Sequence, residues 1–264
     1  MSLAELSLDA ASGIATITIN RPEVMNALNV PLAQALRDVA LEIRDDARVR
    51  CVVLRGNGRA FIAGGDLASF AKDFEVADQV ADDLLNALHV LVETLRNIDA
   101  PVIASVHGAV AGAGLSLMTA CDLVIAAQGT RFMIAYDRIG ASPDCGGTYF
   151  LPRLLGRNKA AQLMFLSETL DAEAALAAGL IYKVVAADAL AASTAELATK
   201  LANGPTQAYG NYKRLVEKTY DRSLSEQLEA ERDAFSANTR TADFREGVSA
   251  FLAKRPAQFK GRSQ

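Results

Sequence analysis

Two glycine-bearing turns and one acidic loop hold the residues best suited to chemistry in this chain. In Phe61-Ile-Ala-Gly-Gly-Asp-Leu67, two adjacent glycines, Gly64 and Gly65, sit in a turn soon after an apolar strand pattern. In Ser105 to Asp122, an apolar strand spanning Pro101–Val106 runs into Gly108, Gly112 and Gly114, and an apolar helix pattern, Leu115–Ala120, leaves that turn. Glycine lets backbone N–H groups approach a guest without a side chain in the way. The start of the following helix adds unpaired donors and a positive dipole end. Both turns therefore suit something that carries, or is about to carry, negative charge. The third region, Ser142-Pro-Asp-Cys-Gly-Gly-Thr148, offers a carboxyl group, Asp144, among apolar neighbours. A carboxylate in such surroundings can have a raised pKa and exchange protons with carbon. Position alone also allows Asp144 to cap the helix that follows Gly147.

Several familiar chemistries fail on these residues. A dinucleotide fingerprint would need a small residue at position 117, which is Leu117, and no acidic residue stands at the required distance beyond it. A phosphate-binding P-loop would need Gly-Lys-Ser/Thr, which does not follow. Ser116 lacks the second glycine of a nucleophile elbow, because the segment reads Gly114-Leu-Ser-Leu-Met118. Cys145 has no neighbouring base in the sequence, and His89 reads as a packing or surface residue on a helix. What survives is a pair of N–H donors, one from each glycine turn, aimed at a carbonyl oxygen that gains charge. Each such donor is typically worth ~3–4 kcal/mol in a transition state.

The elements that must position these residues follow from periodicity. Ala15, Ile17 and Ile19 alternate on one strand face, and with Leu3–Leu8 and the turn at Ser12-Gly13 they predict a hairpin. Pro31, Leu32, Leu36, Val39 and Ile43 predict a helix ending near Asp45-Asp46. Cys51–Leu54 and Leu123–Ala126 read as short buried strands, with Thr130–Tyr136 extending the second. Leu84, Leu88, Leu91 and Leu95 stripe a long helix. Strands alternating with helices indicate an α/β architecture. From Leu170 the pattern turns largely helical. Ser223-Leu-Ser-Glu226 has capping-box spacing, and Phe244, Val248, Phe251 and Leu252 form a last apolar stripe before Pro256. This divides the chain into a core over residues 1–200 and a helical region over 201–264.

Composition narrows the partners. At 264 residues, 51% hydrophobic and 22% charged, the chain has ample material for a core. A net charge of −4 argues against nucleic acid as a partner. No apolar run reaches the ~20 residues of a membrane span, and no N-terminal run resembles a signal peptide. Cys51, Cys121 and Cys145 are odd in number and widely spaced, which fits reduced thiols in a cytoplasm. No cysteine or histidine spacing suggests a metal.

Taken in order, Asn20-Arg-Pro-x-x-x-Asn-Ala-Leu28, Phe61-x-Ala-Gly-x-Asp66, Pro101-Val-Ile-Ala-x-Val-x-Gly108, Gly112-x-Gly114, Cys121-Asp122, Gly146-Gly-Thr148 and Ala177-Ala-Gly-Leu180 resemble the crotonase, or enoyl-CoA hydratase/isomerase, superfamily. The resemblance spans nearly the whole chain and rests on the order of the motifs. It implies a ββα spiral core with a C-terminal helical trimerisation region. It also implies an acyl-CoA substrate, no cofactor beyond the CoA carried by that substrate, and assembly as a homotrimer or a dimer of trimers. Carried over by position, the N–H groups of Gly65 and Ala113 hold the thioester oxygen. Asn26, Ala27, Ala63, Asp66 and Leu67 match the CoA-holding loops. Tyr136 lines the acyl pocket, while Phe259 and Lys260 reach the CoA of the same or a neighbouring subunit. The two glutamates of a family hydratase align with Ser116 and Tyr136, and Asp137 is one residue out of register. The loop around Asp144 and the closing Asp243–Arg255 segment resemble instead the branch of 1,2-epoxyphenylacetyl-CoA isomerases. That resemblance implies an isomerase with Asp144 as single acid/base. The alternatives are a hydratase with an altered base, a dehalogenase-like nucleophilic Asp144, and a non-catalytic acyl-CoA- or RNA-binding relative.

Overall fold

In the computed structural model, which describes residues 2–261, the strands are β1 (Ala4–Asp9), β2 (Ile14–Ile19), β3 (Cys51–Gly56), β4 (Val102–Val106), β5 (Ala109–Ala111), β6 (Leu123–Ala127), β7 (Arg131–Met133), β8 (Thr169–Asp171) and β9 (Lys183–Val185). The helices are α1 (Val30–Asp45), α2 (Leu67–Phe70), α3 (Ala77–Asn97), α4 (Ala113–Thr119), α5 (Gly147–Leu155), α6 (Arg157–Phe165), α7 (Ala172–Ala177), α8 (Leu190–Ala202), α9 (Thr206–Glu217), α10 (Leu224–Asn238) and α11 (Ala242–Leu252). Among the described residues, no helix is long and apolar enough to cross a membrane.

The hairpin β1–β2 closes at Gly13, whose N–H donates to the Asp9 carbonyl at 2.8 Å. From β2 onward the larger sheet is parallel, in the order β1-β2-β3-β4-β6-β9. A second sheet takes β5, β7 and β8. The chain thus winds by a repeated step. One strand enters the large sheet, the next segment enters the small one, and a helix returns. The segment after β3 joins the small sheet only through a bridge between Ile62 and Val110. After β4 comes β5, and after β6 comes β7. This is the ββα spiral implied by the sequence motifs.

Both faces of the large sheet are buried, which explains strands that are apolar throughout rather than alternating. Val52, Leu54, Val102 and Ala104 face the main core with α1 and α3, where Leu36, Leu88 and Leu91 are fully buried. The intervening residues, Cys51, Val53, Ile103 and Ile125, face Ala198 and Ala202 of α8. Asn29 caps α1 by accepting from the Leu32 N–H at 3.0 Å, and Ser223 with Glu226 forms the capping box of α10. The segment beyond Leu170 departs from the expected run of helices, because β8 and β9 interrupt it. Each is three residues long, and each is held by a neighbouring strand rather than by its own pattern.

Helix α9 is fastened to the core through Lys213, which is 5% exposed. Its Nζ bonds the carbonyls of Leu95 (2.9 Å) and Ala100 (3.1 Å) and pairs with Asp122 at 2.9 Å. Asp122 also accepts from the Val102 N–H at 2.8 Å, so the same carboxylate pins the start of β4. Beyond α9 the apolar surface is poorly covered: Phe235, Phe251 and Leu252 are 65%, 83% and 75% exposed. They border a groove of about 450 Å³ among α9, α10 and α11.

Candidate active site

The two glycine turns meet at the C-terminal ends of β3 and β4. The Ile62 N–H donates to the Ala109 carbonyl at 3.3 Å and the Ala111 N–H to the Ile62 carbonyl at 3.0 Å, so the two segments run parallel in register. Three residues further along each lie Gly65 and Ala113. On its other side the first segment is bridged to Leu28, whose N–H reaches the Gly64 carbonyl and whose carbonyl receives the Asp66 N–H, both at 2.8 Å. In a parallel ladder, that pattern turns the N–H of Gly65 away from Leu28 and toward the side of β5 and α4. Ala113 opens α4, and the first-turn N–H groups have no acceptor inside their helix.

Three glycines make this meeting possible. Gly64 (φ 110°) and Gly112 (φ 51°, ψ −125°) have backbone angles that side-chain-bearing residues rarely adopt. A Cβ on Gly114 would lie 2.5 Å from the Ile62 carbonyl oxygen, so glycine there sets the contact between α4 and the first turn.

Asp144 reaches the same helix from the other side. A Cβ on Gly147 would stand 2.5 Å from Ser116 Oγ, so the start of α5 lies directly against α4 one turn beyond Ala113. The loop that precedes it turns through Cys145 (φ 48°) and Gly146 (φ 84°). Helix α5 is capped by Gly146 without a side-chain bond, so the carboxyl of Asp144 is not spent on capping. It accepts instead from the Tyr136 hydroxyl. Tyr136 is buried, and Ser116 of α4 favours the charged form of its hydroxyl. Burial pushes the Asp144 carboxyl above its ordinary range, while the hydroxyl of Tyr136 and the thiol of Cys145 work in the opposite direction. His89 on α3, exposed to solvent, adds a weak favourable field on the carboxylate. Burial and Asp144 push the Cys145 thiol far up, which disfavours the thiolate a nucleophile would need. Burial also pushes Cys51 and Cys121 up, each to about 12.

The remaining expected residues are placed as follows. Asn26 is fully buried, and its amide donates to the carbonyls of Asn57, Ala60 and Phe61 at 2.9–3.0 Å while its oxygen receives the Arg21 N–H. Its side chain therefore builds the turn. Asp66 pairs with Arg21 at 2.8 Å and caps α2. The Ala27 carbonyl receives Arg21 Nη1, and the Ala63 N–H donates to the Met25 carbonyl at 3.1 Å. Leu67 is 51% exposed beside Gly65. Phe70, which sequence reasoning missed, is the nearest side chain to Gly65, at 4.0 Å from the position of a Cβ. Phe259 and Lys260 lie elsewhere. The Phe259 carbonyl is bonded to Arg50 and the Lys260 N–H to Asp243, next to the N-terminal end of β3. The glycine turns follow the opposite end of that strand, so these two residues do not meet the site of their own chain.

Two N–H groups without an acceptor among the described residues, one in a loop and one at the start of α4, with a half-buried carboxyl beyond them, can hold a carbonyl oxygen while a proton moves near it. The comparisons with known proteins identify the family. The sequence model described as enoyl-CoA hydratase/isomerase matches residues 9–262. A 1,2-epoxyphenylacetyl-CoA isomerase of Escherichia coli is 40% identical over 95% of this chain and 96% of its own. A probable enoyl-CoA hydratase of Rhodobacter capsulatus is 39% identical over 99% and 100%. The crystal structure of an enoyl-CoA hydratase from a Polaromonas species superposes with a TM-score of 0.91 at 33% identity, covering 97% of this chain and 99% of that one. With its fold, its paired glycine turns and these matches in agreement, the chain belongs to the enoyl-CoA hydratase/isomerase family.

Proposed function

We propose that this protein isomerises an acyl-CoA thioester, by a double-bond shift or a ring-epoxide rearrangement, with Asp144 as its single acid/base. The thioester oxygen sits between the N–H groups of Gly65 and Ala113. The Asp144 carboxylate takes a proton from the α-carbon. That C–H bond breaks, its electron pair spreads into the thioester carbonyl and the adjoining double bond, and charge collects on the oxygen facing the two N–H groups. Asp144 then delivers the proton two carbons away, which leaves the double bond conjugated with the thioester. The atoms balance without water or any further cofactor, since the CoA travels with the substrate.

The observation that carries this reading is the identity of the groups around Asp144. By the resemblance to the family's hydratases, Ser116 and Tyr136 take the positions of the two glutamates that activate and position water, and neither side chain can do so. One carboxylate suffices for a proton shift. The loops at Asn26, Ala27, Ala63, Asp66 and Leu67 hold the CoA mainly through backbone groups, with Tyr136 behind the acyl group. Phe259 and Lys260 serve the CoA of a neighbouring copy in a trimer or dimer of trimers, which would also cover the exposed Phe251 and Leu252. Purified protein offered 3-enoyl-CoA, 2-enoyl-CoA and a ring-epoxide CoA tests the reading. Isomerised product from the first or third supports it. Rapid addition of water to 2-enoyl-CoA, without isomerisation of the others, would replace it with hydration.

A further inference from the structure

We propose that Tyr136 is a positioning residue for Asp144: its hydroxyl holds one carboxyl oxygen and leaves the other to meet the substrate. The inference rests on the acid/base role proposed for Asp144 and deepens it. Two independent observations carry it. The Tyr136 hydroxyl donates to Asp144 Oδ1 across the loop that separates them. At the start of that loop the Tyr136 carbonyl receives the N–H groups of Ile139 (3.1 Å) and Ala141 (3.0 Å). One residue thus closes the loop by its backbone and fastens the far end by its side chain.

Tyr136 is itself held. Tyr136 is 7% exposed, and Ser116 of α4, the helix that begins with Ala113, favours the charged form of its hydroxyl. The hydroxyl that holds Asp144 thus feels the same helix that carries one of the N–H donors. The groups facing Asp144 are Tyr136, Cys145 in its own loop, and, more remotely, His89 from α3. A hydroxyl donated to a carboxylate favours its charged form, so losing it disfavours that form further.

The test compares wild type, Tyr136→Phe, Ser116→Ala and Asp144→Asn in isomerisation of 3-enoyl-CoA across pH. It also follows the 13C carboxyl resonance of Asp144, assigned by its loss in Asp144→Asn. In Tyr136→Phe, kcat/KM at neutral pH falls on the order of tenfold, as expected for a lost hydrogen bond to a charged group. The acid limb of the profile and the carboxyl titration both move to higher pH. Ser116→Ala shifts both in the same direction by less, because it weakens the donor rather than removing it, and it decides the matter if Tyr136→Phe does not fold. A limb and a resonance that stay in place, with a loss uniform across pH or confined to KM, would overturn the inference while leaving Asp144 as the base. Full activity in Asp144→Asn would overturn the proposed function and this inference with it.

Discussion

Replacing Ala113 with proline removes one hydrogen-bond donor and puts the ring Cδ where that N–H pointed. Ala113 is the first residue of α4, where proline is well tolerated because no intrahelical acceptor serves that N–H and the helical φ suits the ring. The residue before it, Gly112, has no Cβ to meet the proline ring, which relieves much of the usual restriction on that position. The fold therefore loses no ladder or helix hydrogen bond. Its stability should stay within about 1 kcal/mol of wild type, equivalent to roughly 2–4 °C in melting temperature for a chain of this size. Catalysis should respond differently. One oxyanion donor contributes ~2.7–4 kcal/mol, so kcat for 3-enoyl-CoA isomerisation should drop by at least ~10²–10³-fold, the ring Cδ adding to the loss of the donor. The assay is saturating kinetics beside a thermal melt of the same preparation. A folded Ala113→Pro protein with wild-type kcat would refute the assignment of that N–H.

Other perturbations test the same scaffold. Gly114→Ala places a Cβ 2.5 Å from the Ile62 carbonyl oxygen and should cost about 1–3 kcal/mol in denaturant unfolding. It should also lower kcat on the order of 10²-fold, because it wedges the two turns apart; an unchanged kcat would contradict the register drawn between Gly65 and Ala113. Asn26→Ala leaves the buried carbonyls at Ala60 and Phe61 without their donor, and should destabilise the protein by about 2–5 kcal/mol whether or not ligand is present. The raised pKa of Asp144 gives a signed prediction for Asp144→Asn. The folded state binds the proton more tightly than the unfolded chain, so this carboxyl lowers stability as pH rises from the ordinary value of 3.8 through its folded value, and the cost persists at neutral pH. The Asn variant should therefore melt higher than wild type at pH 7, and the difference should vanish below about pH 3.8; equal melting at pH 7 would mean that the carboxyl is not penalised by burial.

Much of this architecture was legible in the sequence, for identifiable reasons. The hairpin, α1 and α3 announce themselves because each buries one face, so that apolar residues recur with the period of the element; α11 shows the same period, although Val248, Phe251 and Leu252 of its stripe stay exposed. Cys51–Gly56 and Leu123–Ala127 are legible as apolar runs, since the sheet is covered on both sides. Strands β8 and β9 were not, because three residues carry no period and their pairing depends on strands far away in sequence. The capping alternative for Asp144 fell to a local fact, the left-handed turn at Cys145 and Gly146, which carries its side chain away from the helix end. The glycine turns marked themselves as N–H donors, but their mutual register follows from the bridge between Ile62 and Val110, which no spacing predicts. Likewise, Tyr136 stood out only as a departure from an expected carboxylate. Its bond to Asp144 depends on how the intervening loop folds back. Nor does sequence order reveal that Phe259 and Lys260 lie at the far end of β3 from the site.

In the proposed reaction one carboxyl group, Asp144, moves the proton. The most direct measurement is the initial rate of 3-enoyl-CoA to 2-enoyl-CoA conversion by wild type and Asp144→Asn, with the fold of both confirmed by melting. Wild type should convert the substrate, and the variant should lose ~10²–10⁴-fold in rate, the usual weight of a positioned acid/base. Equal rates in the two proteins would contradict that role for Asp144.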